Sequence, residues 1–319
     1  MRPIWPALLA LCCAQQSYLS SNPLNRARSQ ANSPSTNTPK SGKLQYLLLT
    51  TYLEDIPGSG KVWVVPVTHP DQSYVLIAGL STPVSTCVDE VGGFLYVCDP
   101  GQSRVLQFTI DFDQDLVLNS DQIAQIYEGK PSSCAVDSGS NLYFTDVEED
   151  SVRRIDYEDL WPGYMNLSYV LYSGNSTEAG VSGPIAIDLS KNDQIYYINT
   201  IDPEDQGLLV QANNDGELIS LIRSEGQAQG LAIAPTLAYY TTREGTIWAY
   251  KYAKRRNLYL KSASFFEDPK GICAGSKSVY VADALLGAVY RFPDDTQEVL
   301  QPEPFLRVEG ASGLFCLSL

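Results

Sequence analysis

The chain has almost no histidine. His69 stands alone among 319 residues. A three-histidine zinc site is therefore excluded. A Ser-His-Asp triad would have to use His69, which sits in the turn-like Thr68-His-Pro-Asp71 between two strand-like runs. That is a poor place for a general base, because reach to the substrate comes first. No GxSxG occurs, so there is no nucleophile elbow. No CxxC occurs, so thiolate ligation of a metal has no motif to rest on. Gly58-Ser-Gly-Lys61 lacks the upstream glycine of a phosphate loop, and Val62 replaces its Ser or Thr. It reads as a hairpin turn. Beyond the N-terminus no run of 18 apolar residues appears, so no transmembrane segment is expected.

Basic charge is scarce. There are 22 Lys and Arg against 37 Asp and Glu, for a net charge of −15. Residues 1–43 hold five basic residues and no acidic one, which leaves −20 on the remainder. Such a surface repels nucleic acid and anionic lipid and suits cations or basic proteins. The N-terminus itself reads as a signal peptide over 1–14. Arg2 opens it, Ile4 to Ala14 is mostly apolar, and Ala14 supplies a small residue for cleavage. Residues 15–43 read as a disordered linker, rich in Ser, Asn and Pro from Ser20 to Lys43. Secretion, or residence in the lumen of the secretory pathway, follows as the expectation. Two sequons agree with it: Asn166-Leu-Ser and Asn175-Ser-Thr are expected glycosylation sites.

Of seven cysteines, Cys12 and Cys13 leave with the signal. Cys87, Cys98, Cys134, Cys273 and Cys316 remain, an odd number, so at least one has no partner within the chain. Small buried apolar side chains are their main expected role. Cys87 and Cys98 flank a turn at Val91-Gly-Gly-Phe94 and form the candidate disulfide.

What is present is a repeat. LYVCDPGQSRVLQF (95–108), LYFTDVEEDSVRRI (142–155) and VYVADALLGAVYRF (279–292) each join an aromatic strand ending in Asp to a second strand through a short polar loop. Looser copies at 195–212 and 237–250 carry Asn199 and Thr242 at the Asp position, and 44–65 is an N-terminal copy. A small-residue strand precedes each copy from STCVD (85–89) onward, through 133–137, 184–188, 230–234 and 271–275. An apolar strand follows each, at 74–79, 123–129, 169–174, 218–222, 262–266 and 305–310. Four short strands at regular spacing are the signature of a propeller blade. The expected fold is all-β: a six-bladed β-propeller of four-stranded blades over 44–319. Residues 313–319 supply the inner strand of the blade begun by 44–79, so the two ends of the domain close the ring.

These blades resemble six-bladed propellers of the NHL and YWTD type, the latter known from low-density-lipoprotein-receptor ectodomains. Leu142-Tyr-Phe-Thr-Asp146 with Val152-Arg-Arg-Ile155 is nearest the YWTD pattern. Ser278-Val-Tyr-Val-Ala-Asp283 and Pro269-Lys-Gly-Ile272 are nearer NHL. The resemblance implies a structural role for Asp99, Asp146 and Asp283, and for Asn199 in their place: tying neighbouring strands or blades by hydrogen bonds. It also implies that the loops between second and third strands share one face with the blade-to-blade connections. On that face lie Glu54, Asp55, Glu148, Glu149, Asp150, Asp202, Glu204, Asp205 and Glu244, with Glu178, Glu225, Glu267, Asp268 and Glu309, against Lys130, Arg243 and Lys270.

Three readings follow for the face. It is a solvated loop surface; it recognises a basic protein, a basic peptide or a small cationic ligand; or it holds a hard cation such as Ca²⁺. Gluconolactonase- and paraoxonase-type propellers use such a metal to hydrolyse lactones or esters, with carboxylates at the channel. The segments that open the inner strands here, Ser85-Thr86, Ser132-Ser133, Gly183-Pro184, Gln229-Gly230, Lys270-Gly271 and Ser312-Gly313, contain none. The sequence thus favours a non-enzymatic binding or scaffolding module over a calcium-dependent hydrolase.

Overall fold

The computed structural model describes residues 45–318 apart from 113–115, 161–166, 175–180, 201–206, 216, 225, 252–255, 263–264 and 295–301. The expected signal peptide and linker lie outside the described residues, as do Asn166 and Asn175.

Apolar and β-branched residues in runs of five to eight, with the longer β7 as the exception, are broken by Gly, Pro and Asp turns and give strands. In chain order the first blade takes β1 (Gln45–Thr51), β2 (Gly60–Pro66) and β3 (Tyr74–Leu80). The second holds β4 (Ser85–Asp89), β5 (Phe94–Asp99), β6 (Arg104–Asp111) and β7 (Val117–Glu128). The third holds β8 (Pro131–Val136), β9 (Leu142–Asp146), β10 (Ser151–Ile155) and β11 (Tyr169–Ser173). The fourth holds β12 (Pro184–Leu189), β13 (Ile195–Asn199), β14 (Leu208–Ala212) and β15 (Leu218–Arg223). The fifth holds β16 (Ala228–Ile233), β17 (Ala238–Thr242), β18 (Ile247–Lys251) and β19 (Arg256–Ser262). The sixth holds β20 (Pro269–Ala274), β21 (Ser278–Asp283), β22 (Ala288–Pro293) and β23 (Glu303–Arg307), and β24 (Ala311–Ser318) returns to the first.

The result is a six-bladed β-propeller. Each blade is a four-stranded antiparallel sheet, and only the first breaks chain order, as β24-β1-β2-β3. Leu47 faces Cys316 and Leu49 faces Leu314 across that closing pair. One outer strand differs from expectation. The fourth strand of the fifth blade is Arg256–Ser262, not 262–266. Phe266 is buried between the fifth and sixth blades, edge-on to Tyr290 at 5.4 Å, so the aromatic pair plugs a seam instead of extending a sheet.

The second strands are buried along their whole length in β9, β13 and β17, and along all but their first residue in β1, β5 and β21. Each from the second blade to the sixth carries a buried tyrosine: Tyr96, Tyr143, Tyr196, Tyr239 and Tyr280. Their hydroxyls find partners, as buried phenols must. Tyr143 donates to Asp137 at 2.9 Å, and Tyr239 donates to the Asp294 carbonyl at 2.9 Å. The inner strands crowd the axis. A Cβ at Gly230, Gly271 or Gly313 would overlap the carbonyl of Lys270, Ser312 or Val84 on the next inner strand or its entry. Only glycine lets those backbones approach so closely.

The cysteines correct the expected pairing. Cys87 and Cys98 are free and buried, as is Cys134, and the disulfide joins Cys273 to Cys316. Cys87 and Cys98 lie diagonally: Cys87 faces Tyr96 and Cys98 faces Ser85. Cys273 and Cys316 lie on β20 and β24, inner strands of neighbouring blades, with Cα atoms 5.6 Å apart. The bridge therefore clamps the seam where the ring closes. Its 43-residue separation corresponds to about 4 kcal/mol of chain entropy removed from the unfolded state.

The last residue of the second strand holds the blades together. Asp99 accepts the backbone N–H groups of Ser81 and Thr82 at 3.1 and 2.8 Å. Asp146 accepts the Lys130 N–H at 2.9 Å, the Tyr127 hydroxyl at 2.7 Å, and the N–H groups of Glu148 and Glu149. Asp283 accepts from Glu267, Asp268 and Leu286. Asn199 accepts from Ser182. In every case one or more donors belong to the connection arriving from the preceding blade. The fifth blade has Thr242 instead, and there Glu244 reaches Gln227 N–H at 3.2 Å. The function is conserved in place, with an exposed carboxylate replacing a buried one.

Two outcomes are expected. Removing Gly313 to Leu319 opens the ring and abolishes cooperative thermal unfolding; an unchanged melting temperature would contradict the closure. Asp146→Ala strands several buried donors and costs about 3 kcal/mol or more by denaturant unfolding, whereas Glu244→Ala at the exposed staple costs about 1 kcal/mol or less.

Candidate functional site

The strand registers stack the inner strands into rings around the axis. Ser85, Ser133, Ala186 and Gly271 lie opposite Cys98, Thr145, Ile198 and Ala282, and with Gly230 and Gly313 they form a neck of small residues. One step along, Thr86, Cys134, Ile187, Leu231, Ile272 and Leu314 form a largely apolar ring. One step further, Cys87, Ala135, Asp188, Ala232 and Cys273 face the five blade tyrosines, and Phe315 completes the ring. Aligned on its final Asp, the segment PIAID (184–188) sets Ala186 level with these small residues. The observed register sets Ile198 opposite Ala186 and puts Asp188 in that ring instead.

Two cavities share Ser85, Ser133, Leu231, Ile272 and Leu314 in their walls, and so form one axial channel. The wide end, about 450 Å³, is bordered by Lys130, Val147, Pro100, Lys270, Ser132, Gln229 and Ser312. It lies within the size range of ligand pockets. Its charged groups are cationic. Lys270 Nζ sits 3.1 Å from Asp268 and 5.8 Å over the Tyr52 ring. Partial burial works to lower the Lys270 pKa, but Tyr52 and Asp268 outweigh it and the net shift is upward, so the ammonium persists. Among the described residues, no carboxylate borders this end. A hard divalent cation needs six to eight oxygens with carboxylates among them. The residues present do not fit a calcium centre there.

Around that mouth lie the loops between second and third strands. Backbone bonds tie each to the connection beside it, as in Val147 N–H to Lys130 O, Ala284 N–H to Asp268 O and Arg243 N–H to Gln227 O. Glu54 and Asp55 lie exposed in the β1–β2 turn, Glu148, Glu149 and Asp150 in the β9–β10 turn, and Glu244 in the β17–β18 turn. Asp202, Glu204 and Asp205 lie outside the described residues. Several of these carboxylates are engaged. Asp150 accepts the Gly183 N–H at 2.7 Å, Glu244 holds Gln227, and Glu148 lies 3.9 Å from Lys130 Nζ. Glu54, Asp55 and Glu149 point to solvent at turn tips. Three apolar side chains stand among them: Ile56, Val147 and Leu285 are 52%, 39% and 70% exposed.

The narrow end, about 180 Å³, contains what sequence reasoning passed over. Asp188 keeps a little exposed surface, and that surface faces this cavity. Its Oδ2 accepts the Ile233 N–H of β16 at 2.7 Å, and its Oδ1 accepts the Leu189 N–H at 2.8 Å. Burial raises its pKa to about 6 against the pull of those two hydrogen bonds. Three free, buried thiols pack nearby: Cys87, Cys98 and Cys134. Burial pushes the Cys87 and Cys98 thiols well above the usual thiol range, so both keep their protons. The signal in the sequence was the acid ending PIAID; the analogous Asp89 and Asp137 instead fold back on their own turns, onto Gly92 and Asn141.

The raised pKa has a sign. Between about 4 and 6 the native state holds a proton that the unfolded chain has lost, so Asp188 costs stability as pH rises through that window. The unfolding free energy of wild type minus that of Asp188→Asn is expected to fall by about 2–3 kcal/mol from pH 4 to pH 7. A pH-independent difference would contradict the buried, ionisable state.

No family model matches the chain, and no curated protein matches it. Solved structures do. A chain of a nidogen–laminin complex superposes with a TM-score of 0.65 at 13% identity, covering 85% of this chain and 98% of that one. A gluconolactonase from Xanthomonas campestris gives 0.60 at 13% identity, over 88% and 96%. A putative 6-phosphogluconolactonase from Bacteroides fragilis gives 0.59 at 14% identity, over 89% and 100%. At such identities these likenesses establish the six-bladed propeller fold, and function has to be argued from the site.

Proposed function

We propose that the protein is a secreted, glycosylated binding module of the NHL/YWTD type that docks a basic protein or peptide on its loop face. One observation carries the reading. Ile56, Val147 and Leu285 are exposed at the tips of equivalent loops, beside Glu54, Asp55 and Glu149. Apolar side chains presented among uncommitted carboxylates are what an interface needs: anchors to desolvate and charges to steer and orient. The likeness to a chain of a nidogen–laminin complex supports a propeller in this role.

The gluconolactonase likeness and the size of the wide end favour a second reading, metal-dependent hydrolysis of lactones or esters. Against it stand the lysines and the carboxylate-free border at the described mouth. A panel of amphipathic basic peptides separates the two. Binding is expected to weaken at least tenfold between low and moderate salt, and again in Glu54→Lys/Glu149→Lys and in Leu285→Ser. Affinity indifferent to all three changes would remove the loop-face reading. Lactone or aryl-ester turnover that rises with Ca²⁺ and stops with chelator would install the hydrolase in its place.

A further inference from the structure

Asp188 is a carboxylate where the other blades have Cys, Ala or Phe. It lines an axial cavity of about 180 Å³ with no other charged group in its wall. Among the described residues it has no ion-pair partner. Two backbone N–H groups fix its orientation and leave lone pairs free on both oxygens. A hydroxyl shares the wall: Ser133 Oγ donates to the Ile187 carbonyl at 3.4 Å and keeps its acceptor lone pairs.

We infer that the narrow end of the axial channel is a binding site for a slender primary ammonium, held by Asp188 with the Ser133 hydroxyl as a second acceptor. The chemistry is matched in charge, donor count and shape. One carboxylate calls for one positive charge. A primary ammonium carries three N–H donors and no acceptor, and the wall offers a carboxylate and a hydroxyl on separate strands, β12 and β8. Most of the exposed lining is polar, and Ile187, Leu231, Ile272 and Leu314 add a smaller apolar part along which a short alkyl chain can lie. The cavity has the volume of about six waters at roughly 30 Å³ each, which suits an amine of four to six heavy atoms. A divalent metal fits poorly, because no cluster of three ligating side chains exists among the described residues. This site is separate from the loop face and does not depend on what docks there.

The ammonium could come as a free aliphatic amine or as a lysine side chain. Calorimetry on the mature protein with n-butylamine and with Nα-acetyl-lysine amide distinguishes the sources. Saturable one-to-one binding of n-butylamine is expected. Binding at least tenfold weaker is expected for n-butanol, which lacks the charge, and for n-butyltrimethylammonium, which lacks the N–H donors. Lysine amide that binds as tightly assigns the site to a side chain; lysine amide that does not assigns it to a free amine. Asp188→Asn should abolish binding, and Ser133→Ala should weaken it several-fold. If Asp188→Asn does not fold, Ser133→Ala and the two analogues carry the test on folded protein. No saturable heat with n-butylamine, equal binding of the trimethyl analogue, or unchanged affinity in a folded Asp188→Asn would overturn the assignment.

Discussion

A buried side-chain oxygen at the end of the second strand, present in four of the six blades, is the interaction on which this ring depends. Asp99, Asp146, Asn199 and Asp283 each turn back to hold backbone donors from the connection that enters their blade. Blade-to-blade packing is apolar and non-directional, as in the cluster joining Tyr143 and Val152 to Ile187 and Tyr197. Such packing alone tolerates sliding. The staples fix where each inner strand begins, and charge-assisted hydrogen bonds to backbone are strong enough to do so. Once those starts are fixed, the residues at each level of the axis are fixed too. The neck, the apolar ring and the ring holding Asp188 all follow from that common start.

The same constraint shapes the mouth. A loop pinned at its base presents its tip outward, which leaves Glu54, Asp55 and Glu149 in solvent and Ile56, Val147 and Leu285 exposed beside them. Not every acid on this face is free to recognise a partner. Asp150 and Glu244 hold Gly183 and Gln227 in place, so part of the negative charge belongs to the scaffold. The channel is polar in sense as well as in composition. Lys130 and Lys270 border its wide end, and Asp188 lies at its narrow end.

Much of this was legible in the sequence because the repeat is carried by residues with physical jobs. A tyrosine needs a buried strand with a polar exit, and an Asp before a turn needs N–H donors, so their shared spacing marked the blades. Closure of the ring by 313–319 was legible for the same reason. Long-range pairing was not. Cys273 and Cys316 meet only because β20 and β24 become neighbours when the ring shuts, whereas Cys87 and Cys98 are near in sequence yet diagonal in register. Asp188 escaped notice because hairpin lengths differ between blades, and matching PIAID to STCVD by its final Asp slips the ring by two residues. The strand placed at 262–266 failed because Phe265 and Phe266 look like a strand but serve as a plug.

Amide hydrogen exchange on the native protein tests the staple account most directly. The N–H groups of Thr82, Lys130, Ser182 and Asp268 sit in connections yet are bound to buried acceptors. They are expected to exchange as slowly as the strand cores, through global unfolding, and Gln227, held by the exposed Glu244, is expected to exchange faster. If all five exchange at the rate of ordinary surface turns, the blades are held by packing alone and the central role given to these side chains is wrong.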